Sequence, residues 1–245
     1  MISGNKVCVL IAAAGMSHRM KSAINKTFLE IDGKTVLAHS IEKFEKCPYV
    51  DEILVLARAE ELEYVREHIV GRGNYQKVTK VVAGGMTRQE SIKKGLAQVS
   101  SSMDILLTHD GARPFVHVET INRALESVLL KRACVVGVPV KDTIKTVWDD
   151  GSTIVHLTPK RSLLWAAQSP QVFFAKDLHD AYAHALKEGI EATDDSSLVE
   201  KIGIEVHMVS GTYDNIKITT PEDMILAELF NEYQKKEEKR RVFCV

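Results

Sequence analysis

Short, almost unbroken apolar runs recur along the chain and alternate with segments whose apolar residues return every three or four positions. Residues 7–13 (Val-Cys-Val-Leu-Ile-Ala-Ala) form the first such run, the pattern of a strand covered on both faces. Residues 35–44 place Val36, Leu37, Ile41 and Phe44 on one helical face. The rhythm then repeats: strand 52–57, charged helix 59–69, strand 77–83, helix 87–99, strand 104–108, helix 118–131, strand 133–138. Strands alternating with helices predict an open, mostly parallel sheet with helices on both faces, a Rossmann-like α/β fold.

After Pro139 the rhythm breaks. Residues 143–147 and 153–157 alternate in the manner of strands, and the Asp150-Gly151 pair between them predicts a hairpin. A lone two-stranded ribbon is only marginally stable, so this protruding β-hairpin arm, about residues 141–157, is expected to pack on a partner subunit. The chain then predicts helix 176–188, a short helix from about 195, and strand 205–209. A final helix opens with Thr220 as N-cap, Pro221 at the first position and Glu222 and Asp223 on the positive end of the dipole. Its charged tail, 235–241, reads as a solvated end that frays. The whole, 1–245, reads as a single domain, a size at which one α/β unit fills its own core.

The formal net charge is −1, so no global basic field attracts nucleic acid or an anionic membrane, and any bound anion must meet a local cluster. The chain contains no apolar run long enough to span a membrane. Its four cysteines stand far apart with no CxxC pair, which disfavours zinc or a disulfide framework and points to a reducing, cytoplasmic setting.

Candidate chemistry sits where predicted strands end, the edge at which open α/β sheets bind ligands. Ala13, Ala14 and Gly15 allow close backbone approach to a nucleotide, and Arg19 and Lys26 bring positive charge for phosphates. Neither GxGxxG nor GxxxxGK[ST] is present. Ala83-Gly84-Gly85 leads to Arg88 and Ser91, either a base-binding turn or a plain capped turn with Thr87 as N-cap. Asp110 follows the fourth main strand and suits a metal ion or substrate hydroxyls. Arg113 beside it can pair with an anion or with Asp110 itself, while His109 reads as structural. Lys217, between Ile216 and Ile218 in a segment expected to be a strand, faces either solvent or the cleft. Gly, Arg, Asp and Lys without a nucleophile–base dyad suit nucleotidyl transfer, which works by positioning and charge stabilisation.

Together the segments Ala13-Ala-Gly-x-x-x-Arg-Met20, Lys26, Gly84-Gly-x-x-Arg-x-x-Ser91, His109-Asp-Gly-Ala-Arg-Pro114, Pro139-Val-Lys-Asp-Thr-Ile-Lys145, Arg161-x-x-x-Trp-x-x-Gln-x-Pro-Gln171, Thr193-Asp-Asp and Asp214-Asn-Ile-Lys-Ile-Thr-x-Pro-Glu-Asp223 resemble the 2-C-methyl-D-erythritol 4-phosphate cytidylyltransferases of the non-mevalonate isoprenoid pathway, almost end to end. The resemblance implies cytidylyl transfer from CTP to a polyol phosphate, release of pyrophosphate, a homodimer, and Mg²⁺ or another divalent cation. It assigns catalysis to Arg19, Lys26, Arg161 and Lys217. Ala13, Ala14, Gly15, Ala83, Gly84, Gly85, Arg88, Ser91 and Asp110 would bind CTP. Asp110, Arg113, Thr143, Arg161, Ser169 and Lys217 would bind the acceptor, with Arg161 and Ser169 reaching the neighbouring subunit's substrate. Asp110 would also meet the metal, held largely through the CTP phosphates. Asn25 stands where the family pattern has Pro, which predicts a less rigid loop, and Ser169 stands where the family often has Thr. The competing readings are a ribitol-5-phosphate cytidylyltransferase and a catalytically silent nucleotide-binding module.

Overall fold

A computed structural model describes residues 1–15 and 25–243, with side chains as far as Glu237. The first strand, β1 (Val7–Ala12), runs through the middle of a seven-stranded sheet. It pairs in parallel with β4 (Glu52–Ala57) on one side and β6 (Ile105–Asp110) on the other, and β5 (Val78–Ala83) continues outward from β4. Beyond β6 lie β10 (Trp165–Phe174), β7 (Ala133–Pro139) and the outer β11 (His207–Ser210). Only β10 opposes the rest, antiparallel to both β6 and β7. Two short antiparallel pairs stand apart from this sheet: β2 (Glu30–Ile31) with β3 (Lys34–Thr35), and β8 (Thr146–Val147) with β9 (Val155–Leu157).

Period-two alternation in β1 divides the core into two layers. Val7, Val9 and Ile11 face α1 (Val36–Glu45) and α5 (Val118–Lys131) through Leu37, Ile41, Phe44, Ile121 and Leu125. Cys8 and Leu10 face the opposite layer, where Ile92 of α4 (Arg88–Leu96), Leu178 of α6 (Ala175–Glu188) and Leu198 of α7 (Asp195–Lys201) pack. Between β4 and β5 the chain forms a helical segment in which α2 (Leu62–Tyr64) and α3 (Gly71–Gly73) flank a π-helical stretch, Val65–Val70. The last helix, α8 (Pro221–Phe243), buries Ala227 with Ile31, Val36, Phe115 and Ile218.

The sequence expectation of a mostly parallel sheet sandwiched by helices holds, and several boundaries move. The strand expected at 104–108 runs on to Asp110, because His109 and Asp110 still pair with Ile11 and Ala12. Residues 214–218 form no strand: their backbone bonds to the neighbouring loop, Ile218 N–H to the Ala112 carbonyl at 2.9 Å. The last helix runs on through Phe243, past the charged stretch at 235–241. The hairpin is shorter than expected, its ladder limited to β8 and β9. No helix among the described residues is long and apolar enough to cross a membrane.

Candidate active site

One cleft opens at the carboxyl edge of the sheet, where β1, β5 and β6 end side by side. It is lined by Ala12, Ala13, Ala14, Gly15, Lys26, Thr27, Arg88, Ser91, Asp110, Ala112 and Lys217 and opens broadly to solvent. Gly84 shows why small residues occupy the junction: a Cβ there would stand 2.5 Å from Ala14 Cβ and 2.8 Å from Ser91 Oγ. The turn is closed by Ser91, whose hydroxyl accepts from Gly85 N–H at 3.0 Å and donates to the Thr87 carbonyl at 2.8 Å. Thr87 caps α4 through a capping box with Glu90, which fixes the direction in which Arg88 leaves the helix.

Asp110 is the electrostatic centre. Its carboxylate receives Arg88 Nε at 2.9 Å, Lys217 Nζ at 2.9 Å and Arg113 Nε at 3.3 Å. Burial alone would raise its pKa, but Arg88, Lys217 and Arg113 outweigh burial and hold the carboxyl well below its usual range. Arg88 is shared with a second carboxylate, Asp195, at 2.7 Å. Asp195 is itself buried and also accepts from Thr108 Oγ1 at 2.6 Å and Tyr182 Oη at 2.5 Å. Among the described residues cations outnumber carboxylates here, Lys26, Arg88, Arg113 and Lys217 against Asp110 and Asp195. An anion entering the cleft therefore meets a surplus of positive charge.

A buried layer supports Asp110 from below. Ser169 Oγ accepts from Asp110 N–H at 3.0 Å, so its own proton goes to His109 Nδ1 at 2.9 Å. His109 Nε2–H then donates to the Arg113 carbonyl at 3.0 Å, which sets the tautomer. Burial lowers the imidazole pKa to about 4, so the ring is neutral at pH 7. Asn215 ties the 214–218 segment to β10, its Nδ2 donating to Ser169 O and Gln168 Oε1. Ile216 and Ile218 pack inward with Phe115 and Ala227, which turns Lys217 the other way, into the cleft.

The sequence profile of the 2-C-methyl-D-erythritol 4-phosphate cytidylyltransferase (IspD) family matches residues 7–232. The chain belongs to this family. It is 46% identical over 227 residues to the 2-C-methyl-D-erythritol 4-phosphate cytidylyltransferase of Geotalea uraniireducens (strain Rf4), covering 92% of this chain and 96% of that one. Identity to the enzyme of the same name from Clostridioides difficile (strain 630) is also 46%, over 96% of this chain and 98% of that one. Among solved structures, 4-diphosphocytidyl-2C-methyl-D-erythritol synthase from Anaerococcus prevotii DSM 20548 superposes with a TM-score of 0.83 at 31% identity, covering 94% of this chain and 98% of that one.

As a member of the cytidylyltransferase family the chain is a nucleotidyltransferase, and the residues singled out from its sequence divide into groups. Ala13, Ala14, Gly15, Lys26, Arg88, Ser91, Asp110 and Lys217 meet in the cleft, with Gly84 against its wall and Gly85 and Ala83 beside it. Arg19 lies outside the described residues. Thr143 and Arg161 are exposed on the arm and at its root and do not line the cleft of their own chain, and Arg161 Nη1 donates to the Lys141 carbonyl at 3.0 Å. Ser169 is placed differently from expectation: it lies in β10, buried beneath Asp110, and its hydroxyl is spent on Asp110 and His109. Asn25 is buried and its side chain is bonded three ways, while the loop that leads into it, 16–24, lies outside the described residues. Sequence reasoning assigned no role to Asp195 or Asn215. Each lay in a motif already noticed, Thr193-Asp-Asp and Asp214-Asn-Ile-Lys, but which carboxylate or amide turns inward depends on tertiary packing.

Proposed function

We propose that this cleft binds CTP and 2-C-methyl-D-erythritol 4-phosphate together and joins them by in-line attack. A phosphate oxygen of the acceptor forms a bond to the α-phosphorus of CTP as the bond to the β-phosphate oxygen breaks. The products are 4-diphosphocytidyl-2-C-methyl-D-erythritol and pyrophosphate. The observation that carries this reading is the cluster of Arg88, Arg113 and Lys217 around Asp110, facing Lys26 across the small residues Ala13 to Gly15. Such a site offers charge and close backbone approach, which is what phosphoryl chemistry asks of a protein. Lys26 and Arg19 would neutralise charge growing on the α-phosphate. The Gly84–Gly85 turn with Arg88 and Ser91 would hold cytidine, and Lys217, Arg113 and Asp110 would orient the acceptor. The Ser169–His109 pair is no hydrolytic dyad: both residues are buried under the site and the hydroxyl already accepts from Asp110 N–H.

A divalent cation fits this site only when carried by the triphosphate. Mg²⁺ takes about six oxygens, whereas among the described residues Asp110 is the one carboxylate lining the cleft, and its oxygens are engaged by three cations. When bound through the phosphates, the ion would neutralise their charge and polarise the α-phosphorus. The three described cysteines are buried and free, in keeping with a cytoplasmic enzyme.

We also propose a homodimer in which the arm crosses to a second copy and brings Arg161 and Thr143 to its acceptor site. The arm leaves Val147, Trp148, Ile154, Val155 and Leu157 exposed, an apolar surface that a partner would cover. Pyrophosphate release, measured for four NTPs against methylerythritol, ribitol, glycerol and hexose phosphates, tests the reaction. CTP with the methylerythritol phosphate should dominate, and equal turnover with UTP would remove the base-specific part. In the same assay Lys26→Ala and Arg19→Ala should each lower turnover by about 10²–10³ with little change in KM for CTP. Co-refolding inactive Lys26→Ala chains with inactive Arg161→Ala chains tests the shared site. Recovered turnover supports it, and a verified heterodimer that stays silent refutes it.

A further inference from the structure

Lys26, which lines the cleft, is held by a device outside it. Lys26 opens a single 3₁₀ turn, Lys26–Phe28, too short to persist on its own propensity. Asn25 precedes it, is almost wholly buried, and caps the turn: its Oδ1 accepts from Thr27 N–H at 3.2 Å and its carbonyl from Phe28 N–H at 2.8 Å. The two Nδ2 protons go elsewhere, one to the Ala13 carbonyl at 3.1 Å and one to Glu61 Oε2 at 2.9 Å. Glu61 is fixed in turn by Arg58, Nη2 to Oε1 at 2.6 Å. Ala13 is pinned on its other side by its N–H to the Leu56 carbonyl at 2.8 Å. Three residues on, Phe28 packs on Tyr64 with ring centroids 4.9 Å apart.

We propose that Asn25 and Glu61 are positioning residues that clasp the Lys26 turn to the end of β1, and so set where the Lys26 ammonium stands against the bound α-phosphate. The proposal rests on the reading of Lys26 as a charge-stabilising group. Every polar atom of the Asn25 side chain is used, and each has a distinct partner. The bond to Glu61 has a charged acceptor, which makes it the stronger of the two that Nδ2 donates. Asp at position 25 would keep the cap but lose both donors and set a second carboxylate against Glu61. The turn would then swing away from Ala13, and a displacement of about 1 Å at a reacting centre costs on the order of 10²-fold in rate. Lys26 matters most where charge develops, so the loss should fall on kcat rather than on KM for CTP.

The test measures pyrophosphate release by the full chain for wild type, Lys26→Ala, Asn25→Asp, Asn25→Asp/Glu61→Gln and Glu61→Ala, each checked for folding by circular dichroism. Asn25→Asp should lower kcat roughly 10- to 100-fold and move KM for CTP by less than about threefold. Adding Glu61→Gln reverses the polarity of the clasp, its amide donating to the new carboxylate, and should restore at least about fivefold of the loss. Glu61→Ala leaves the Ala13 bond intact and should cost about three- to tenfold in kcat, a readout that survives if Asn25→Asp does not fold. Wild-type kcat in Asn25→Asp, a loss confined to KM, no rescue by the double change, or unaltered kcat in Glu61→Ala would each overturn the clasp. A silent wild type, or Lys26→Ala with normal kcat, would instead count against the reading on which the clasp depends.

Discussion

Acid should loosen this protein through His109 before it reaches the carboxylates. The ring is fully buried, packs edge-on to Phe44 at 4.7 Å, and accepts at Nδ1 while donating at Nε2. Protonation at Nδ1 sets a hydrogen against the one Ser169 donates, and that hydroxyl is also the acceptor for Asp110 N–H. Burial moves the ring from an ordinary value of 6.5 to about 4. The unfolded chain therefore binds the proton near pH 6.5 and the folded chain near 4. Stability is complete above 6.5 and falls as pH drops through that window, by about 3 kcal/mol from this one group at about 1.36 kcal/mol per unit. His39, lowered by burial, adds a slope of the same sign, so the comparison must be made between variants. Urea unfolding at steps from pH 7 to 4.5 should show wild type losing about 2 kcal/mol more than His109→Gln over that range. Equal slopes, or an NMR titration of the His109 ring with a midpoint above pH 6, would refute the reasoning.

Three further outcomes follow from the same geometry. Asp195→Asn removes the charge that holds Arg88, Thr108 and Tyr182. It should cost about 3 kcal/mol and lower Tm by roughly 6–12 °C with a parallel fall in kcat/KM, and a loss below about 1 kcal/mol would contradict that role. Gly84→Ala forces a methyl against Ala14 and Ser91. It should raise KM for CTP about tenfold in a protein destabilised by about 1–3 kcal/mol, and calorimetric CTP binding at wild-type strength would exclude the close-approach argument. Asp214 is raised by burial but drawn down to about 2 by bonds from His117, Thr212 and Gln234. Its contribution is present above about pH 4 and lost toward pH 2, so acid melts of Asp214→Asn should lack up to about 2 kcal/mol of that slope.

What could be read in advance depended on how far a residue's role is local. The buried runs at 52–57 and 118–131 match β4 and α5 end for end, because an apolar run or an amphipathic face carries its own pattern. Thr87 as cap of α4 was legible for the same reason. Strand β10 has no counterpart among the elements expected from sequence, because Gln168, Ser169, Pro170 and Gln171 break its apolar pattern. They are tolerated inside the sheet because Ser169 holds Asp110 and Gln171 Oε1 caps the backbone of Asp195 and Ser196. Lys217 was assigned to a strand from its alternating isoleucines. The alternation is real, but hydrophobic burial of Ile218 and not a ladder produces it. The part played by Asn25 is hidden from the sequence, since two of its three partners, at positions 13 and 61, are distant and only the cap on Thr27 is local.

The place of β10 between β6 and β7 sets an order on biosynthesis. As the chain leaves the ribosome, β1, β4, β5 and β6 can pair as soon as residue 110 has emerged, since they are contiguous in the sheet. Strand β7 cannot join them, because the strand that bridges it to β6 lies downstream of the arm. Until residues 165–174 appear, the open edge of β6 ends in an Asp110 that still lacks the hydroxyl of Ser169 beneath it. A nascent chain halted within the arm would therefore display two unpaired edges and an unfinished anion site, a form suited to capture by chaperones. Strand β10 joins the two halves of the sheet, but the charge cluster is complete only when Asp195 and then Lys217 follow it, so a partly made chain has little means of holding its substrates.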